Sequence, residues 1–288
     1  MTLNVFASSG GGVRIGASFG AEMEGERQGK FKPSMFDHFL GTSAGALDAA
    51  LTANGWTAKQ KIDFFLHVDF THFFKPFLLP FTARKAMALA FPIKLAKLAE
   101  FIDSLAKPNP YGPELKPVPG LLINSVRADK DNRQIVFCEQ KPEWLVPNDR
   151  LEVVEGAFTK EGYGKIITRS MALPGLQADD PMWFDGGVAE NPLISILPTD
   201  SNIILMHLGY AGLVGEGEQA VPSGMLARAM YCYERKAYEQ AEHLASHYPN
   251  LKAIKQEVYD VDSTAFDISQ AQKLDMVKRG RDNSRSYW

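Results

Sequence analysis

"HFLGTSAGALDAALTANG", residues 38–55, decides how this chain reads. An apolar run leads into a serine set among small residues, and an alanine-rich run without proline leads out. The pattern predicts strand, sharp turn and helix, with Ser43 on the turn. "GTSAG" (41–45) fits G-x-S-x-G, where Gly41 and Gly45 leave room for a turn that projects the serine hydroxyl. The helix that follows directs its positive end at Ser43 and favours a developing alkoxide. A tight packing turn is the plainer alternative for the same residues.

Upstream, "LNVFA" (3–7) reads as a short buried strand that runs into "SGGGVRIG" (9–16). Gly10, Gly11 and Gly12 expose backbone amides with no side chains in the way, as an oxyanion hole requires. A phosphate cradle is the competing reading. The lysine of a P-loop is missing, since Ala17 and Ser18 follow Gly16, and Ile15 breaks a dinucleotide fingerprint.

Downstream, "TAKQKIDFFLHVD" (57–69) predicts a helix capped by Thr57. "LLINSV" (121–126) and "RQIVFCE" (133–139) around "RADKDN" predict a β-hairpin. A helical piece and "SMALPG" fall in 156–180. "NIILMHLG" (202–209) reads as a buried strand, 226–248 as a long helix and 251–261 as a late strand. Residues 269–288 read as a closing helix with Ser269 as cap, ending in a solvated face and fraying tail. Strands and helices alternate, so the expected fold is α/β, three-layer α/β/α with a mostly parallel central sheet, in one catalytic domain over 1–288.

Composition narrows the function classes. The 288 residues are 45% apolar, enough for a large core, and carry a net charge of −3. With a pI of about 6.1, the chain is not a general nucleic-acid binder. Cys138 and Cys232 stand far apart without metal-like spacing, which fits a reducing compartment rather than a disulfide framework. The N-terminus lacks a basic region and apolar core of a signal peptide, and no apolar run approaches the ~20 residues of a membrane span. The expected location is cytoplasmic or peripheral to a membrane, with signal-independent secretion left open.

A Ser-His-Asp triad would need one of six histidines: His38, His67, His72, His207, His243 or His247. His38 lies in the strand before the elbow, and the others sit in apolar or helical runs. Only about 40 residues precede the elbow, too few for the usual strands of an α/β-hydrolase. A carboxylate base is the alternative. Asp185 in "FDGG" precedes Gly186 and Gly187, where it could face a cleft; an ordinary Asp-Gly turn is the plain reading.

Taken together, "GGGVRIG" (10–16), "GTSAG" (41–45), "SMALPG" (170–175) and "DGG" (185–187) followed by "NPL" (191–193) resemble the patatin-like phospholipase family. The four blocks stand in the family's order, and "AFDISQAQKLDMVKRG" (265–280) resembles its usual ending. The resemblance implies a Ser-Asp dyad with Ser43 as nucleophile, Asp185 as base and the Gly10–Gly12 backbone as oxyanion hole. Arg14 falls on the family's basic position. It also implies an acyl-ester lipid as substrate, with no metal or other cofactor. A non-catalytic lipid-binding member, a regulated effector and a nucleotide-binding enzyme are the competing functions.

Residues 73–120 follow no family pattern and are expected to form a helical insertion or lid. Between Lys75 and Lys107 six basic residues face two acidic ones. Leu95, Leu98, Ile102 and Leu105 share a helical face, with Lys94 and Lys97 off it. Two readings compete: an element that enters a lipid surface while its lysines meet anionic head groups, and a cap over the sheet.

Overall fold

The computed structural model describes residues 2–73, 93–173, 176–191, 193–208, 243, 246–256, 258, 261 and 266–288. Most of the helix expected over 226–248 and the first part of the expected insertion lie outside the described residues.

Five parallel strands make the centre of the molecule. β1 (Asn4–Ser8) pairs with β2 (His38–Thr42), after the crossover helix α1 (Ile15–Arg27). α2 (Ala44–Ala53) and α3 (Ala58–His67) follow β2 directly. The short β3 (Ile93–Lys94) leads to α4 (Ala96–Ser104), and β4 (Leu121–Arg127) pairs parallel with β2. β5 (Arg133–Cys138) turns back antiparallel on β4, and β6 (Leu151–Val154) runs parallel to β5. α5 (Ala157–Glu161) and α6 (Tyr163–Ser170) precede β7 (Leu176–Gln177), which pairs with β3, and β8 (Trp183–Asp185). β9 (Asn202–Leu208) pairs with β1, β10 (Leu251–Gln256) with β9, and α7 (Gln270–Ser284) closes the chain. The sheet order is β10-β9-β1-β2-β4-β5-β6, with β8 on β4. This is the expected mostly parallel α/β sheet.

Both faces of the sheet are apolar, as parallel strands require. The period of two separates the cores. Phe6 faces the helices, with Phe39, Leu51, Phe64 and Ile167. Val5 and Ala7 face the other way, with Leu40, Leu122, Val136, Ile194 and Tyr248. Thr57 and Ser269 each cap their helix as expected, and the structure completes each cap as a capping box, the side chain accepting from the amide of Gln60 or Gln272.

One expectation needs correction. The closing helix is not a solvated tail. A Cβ on Gly20 would fall 2.0 Å from Val277 O, and one on Gly280 would fall 1.9 Å from Ala17 O, so α1 and α7 meet backbone to backbone. Trp288 Nε1 then donates to Ala21 O at 2.8 Å. The apolar stripe beside α4 is covered, as in the cap reading: Leu95, Leu98, Ile102 and Leu105 are all buried in the main core. The proline-rich stretch 107–120 is anchored to α2. Trp56 Nε1 donates to Pro113 O at 2.7 Å, and Lys116 N donates to Asn54 Oδ1 at 2.7 Å. Those anchors sit at the far end of α2 from Ser43, about 15 Å away along the helix axis.

A charged cluster is sealed beneath the elbow helix. Lys61 Nζ donates to Asp48 Oδ1 at 2.6 Å, to Glu22 Oε2 at 2.5 Å and to Thr52 Oγ1, and Ser8 Oγ donates to Asp48 Oδ2 at 2.7 Å. All five residues are fully buried, and they join α1, α2, α3 and the end of β1. Burial, and then the neighbouring Asp48 carboxylate, push the Glu22 carboxyl well above its usual range. The Glu22 carboxyl therefore keeps its proton to higher pH in the folded chain than in the unfolded one.

Lys61→Met should strand the Asp48 carboxylate and cost about 3–5 kcal/mol in urea unfolding. Glu22→Gln, a neutral mimic, should cost far less. The stability that Glu22 contributes is complete below the usual 4.5 of a glutamate and is lost as pH rises through the raised native value. Glu22→Gln has no such slope, so it should gain on wild type as pH rises above the usual glutamate value; parallel curves for the two proteins would contradict the assignment.

Candidate active site

The elbow is as sharp as its sequence suggests. Ser43 stands between β2 and α2 at φ 56°, ψ −130°, a region that a residue with a Cβ rarely enters. Such strain costs roughly 1–3 kcal/mol and persists only where neighbours enforce it. The glycines make the enforcement possible by close approach. A Cβ on Gly45 would fall 2.2 Å from Ser8 O, and one on Gly41 would fall 2.5 Å from Ala46 Cα. The first turn of α2 thus lies directly on the end of β1. Gly10 presses on the nucleophile candidate itself, since its Cβ would stand 2.6 Å from Ser43 Cβ.

The glycine loop is tied down from three sides. Ser9 N donates to Met206 O at 3.0 Å, and Leu208 N donates to Ser9 Oγ at 2.9 Å. Gly10 N donates to Asn191 Oδ1 at 2.7 Å. The expected oxyanion hole therefore narrows: the Gly10 amide is already taken. The amides of Gly11 and Gly12 find no acceptor among the described residues. Gly12 has φ 57°, which turns the loop into α1. Arg14 is buried, and its Nε lies 3.3 Å from Gly11 O, so it braces the loop from behind.

Asp185 arrives from the opposite direction. One edge of β4 carries β2 as far as Asn124, opposite Thr42, and then carries β8 from Ser125, opposite Asp185. β5 holds the other edge. The C-terminal ends of β2 and β8 therefore meet head to head, with Thr42 and Asp185 on consecutive rungs, about one strand rise of 3.4 Å apart. Asp185 is fully buried, and its Oδ1 accepts from Gly187 N at 2.8 Å. Gly186 fits because a Cβ there would meet Asn124 O at 2.4 Å.

Asn124 spans the seam. Its Oδ1 accepts from Thr42 Oγ1 at 2.6 Å, and its Nδ2 lies 3.1 Å from Gly186 O and 3.2 Å from Glu190 O. Sequence reasoning passed over this residue, although a polar side chain inside the apolar run "LLINSV" is a usable signal. Trp183 of β8 is held by two guanidiniums, Arg127 and Arg169, each 4.7 Å from the ring centroid. Glu190, raised by burial, accepts from Ile194 N at 2.8 Å, Ser195 N at 2.6 Å and Ser195 Oγ, and so fixes the loop that presents Asn191.

His38 sits at the other end of β2, five residues and roughly 16 Å of strand from Ser43, where Trp144 Nε1 approaches its Nε2 at 3.3 Å. His67 and His247 bind carbonyls of their own helical turns. Among the described residues, no group of three His, Cys, Asp or Glu side chains converges as for a metal ion, and no helix is long and apolar enough to cross a membrane.

A family model described as patatin-like phospholipase matches residues 6–198, a span that contains the elbow, the glycine loop and Asp185. No curated protein matches the chain. Among solved structures, VipD from Legionella pneumophila is similar at 14% identity and a TM-score of 0.48, covering 100% of this chain and 67% of that one.

Asn124→Ala should leave Thr42 Oγ1 and two carbonyls without their buried partner and lower unfolding stability by about 1–3 kcal/mol. Combined with Thr42→Val, the two losses should fall short of additive by about 0.5 kcal/mol or more. Strict additivity in urea titrations would mean that the seam is not one unit.

Proposed function

This chain belongs to the patatin-like phospholipase family, a family of lipid acyl hydrolases, and from that premise we propose that it cleaves fatty-acyl esters as a phospholipase A or lysophospholipase, through Ser43 and Asp185. The observation that carries the reading is Ser43 itself: a non-glycine residue held at φ 56° at the head of a helix, against bare glycine backbone. Strain of this kind is retained where the side chain must point one way.

In the proposed reaction Asp185 accepts the Ser43 hydroxyl proton as Oγ bonds to the ester carbonyl carbon. The carbonyl electrons move to oxygen, and the oxyanion meets the Gly11 and Gly12 amides and the positive end of α2. The oxyanion then collapses. The bond to the alcohol oxygen breaks, and Asp185 returns its proton to that oxygen. Water loses a proton to Asp185, attacks the acyl-enzyme and releases the fatty acid, and the proton goes back to Ser43. Arg14, Gly41, Gly45 and Gly186 shape the site without touching the reacting atoms, and the Gly187 amide holds the Asp185 carboxylate.

A nucleotide cradle is poorly supported beside this. Ala17 and Ser18, which stand where a P-loop has its lysine and hydroxyl, are buried, and the Gly10 amide is committed to Asn191. The intact Ser43 and Asp185 favour catalysis over a purely lipid-binding role. The protein would meet a membrane surface through charge rather than by inserting α4, since Lys94 at the end of β3 and Lys97 of α4 are exposed while the leucine stripe between and beyond them is buried.

Ser43→Ala should abolish ester hydrolysis and fluorophosphonate labelling with the melting transition unchanged. Asp185→Asn should slow hydrolysis by about 10²–10⁴-fold. Full activity in Asp185→Asn would assign the base elsewhere, and a labelled residue other than Ser43 in wild type would overturn the reading. Lys94→Glu/Lys97→Glu should weaken co-sedimentation with anionic vesicles and leave hydrolysis of a short soluble ester intact; equal binding by both proteins would remove α4 from the membrane contact.

A further inference from the structure

The stretch "SMALPG" marks the resemblance but has no task in the reaction above. Its first residue, Ser170, ends α6 and is fully buried. Its Oγ accepts from Ser43 N at 2.8 Å. Two residues on, Ala172 O accepts from Asp185 N at 3.0 Å. One short segment therefore holds the backbone of both dyad residues, and it is itself pinned. Ser125 Oγ lies 3.0 Å from Arg169 O and 2.8 Å from Phe184 O, which joins the end of α6 to β4 and β8.

We propose that Ser170 is a positioning residue of the reaction, which fixes the direction of the Ser43 amide plane and so of Oγ. The inference rests on Ser43 being the nucleophile. Ser43 precedes α2, so its N–H has no place in the helical ladder. At φ 56° that N–H points away from α2 and needs a partner outside it. The Ser170 hydroxyl is that partner. Without it, a buried donor is left unpaired, and the elbow loses one of the contacts that enforce its strained backbone. A relaxed Ser43 carries Oγ away from Asp185 and the glycine amides. Binding of the acyl chain is untouched, because Ser170 faces backbone and not substrate. The cost therefore falls on the chemical step.

The test compares wild type with Ser170→Ala, which removes one atom and keeps the packing. Using p-nitrophenyl butyrate, kcat should drop about 10–100-fold with KM nearly constant, as expected for a misplaced nucleophile. The rate of fluorophosphonate labelling at Ser43 should fall by the same factor. Hydrogen exchange at the Ser43 amide should speed up about fivefold or more, while the amides of β1 and α7 keep their protection. Exchange and labelling rates equal to those of wild type would overturn the proposal. So would faster exchange with unchanged kcat, which would make the bond structural only. If wild type neither turns over the ester nor labels at Ser43, the hydrolase reading fails, and amide exchange still decides whether Ser170 holds the elbow.

Discussion

One edge of β4 is divided between two strands, and the site depends on where the division falls. β2 leaves that edge at Asn124 and β8 takes it at Ser125. Hydrogen-bond register is discrete, so the two strand ends cannot drift relative to each other without losing whole rungs. Ser43 and Asp185, far apart in the chain, inherit that precision because each stands at the end of its strand. The weak point of such an arrangement is the gap between two abutting ends, where the ladder stops. There the Asn124 side chain supplies the bonds that a continuous strand would have made, to Thr42 on one side and to Gly186 and Glu190 on the other.

The strain at Ser43 is carried by elements that sit behind it. Gly45 lets α2 rest on Ser8 O, and the Ser8 hydroxyl in turn reaches Asp48, one turn further along α2. Lys61 and Glu22 then lock Asp48 to α3 and α1. An apolar replacement of comparable volume would serve stability as well. What it would lack is direction: an ion pair with hydrogen bonds at both carboxylates sets the rotation of α2 about its axis, and that rotation aims the helix amides at the elbow.

Local signals were legible in the sequence, and tertiary ones were not. The elbow, the glycine loop, the hairpin and the caps at Thr57 and Ser269 are each written within a few residues, because a turn or cap is a short-range steric and hydrogen-bonding problem. β8 and β6 have no legible strand signal, since three or four residues hold no period and their pairing partners lie elsewhere. Lys61 carries no local signal of burial within the helix 57–69; its burial is set by Glu22 and Asp48 arriving from α1 and α2. The stripe on α4 was read from its spacing, but spacing does not say what covers a stripe. Gly10 shows the same limit in the site. Three bare glycines announce available amides, yet only the fold brings Asn191 to occupy the first of them.

The proposed dyad also explains why the strand ends must abut. In a triad an imidazole bridges the distance between serine and carboxylate, so their backbones can stand well apart. A carboxylate acting alone has a short side chain and must be delivered almost to the serine. A base on a flexible loop would lose that placement to thermal motion. A base at the end of a paired strand, with its own amide bound to Ala172 and its carboxylate held by Gly187, does not. The proposed dyad and the shared edge of β4 are then two sides of one requirement, and the buried side chains of Asn124 and Ser170 are what that requirement leaves in the core.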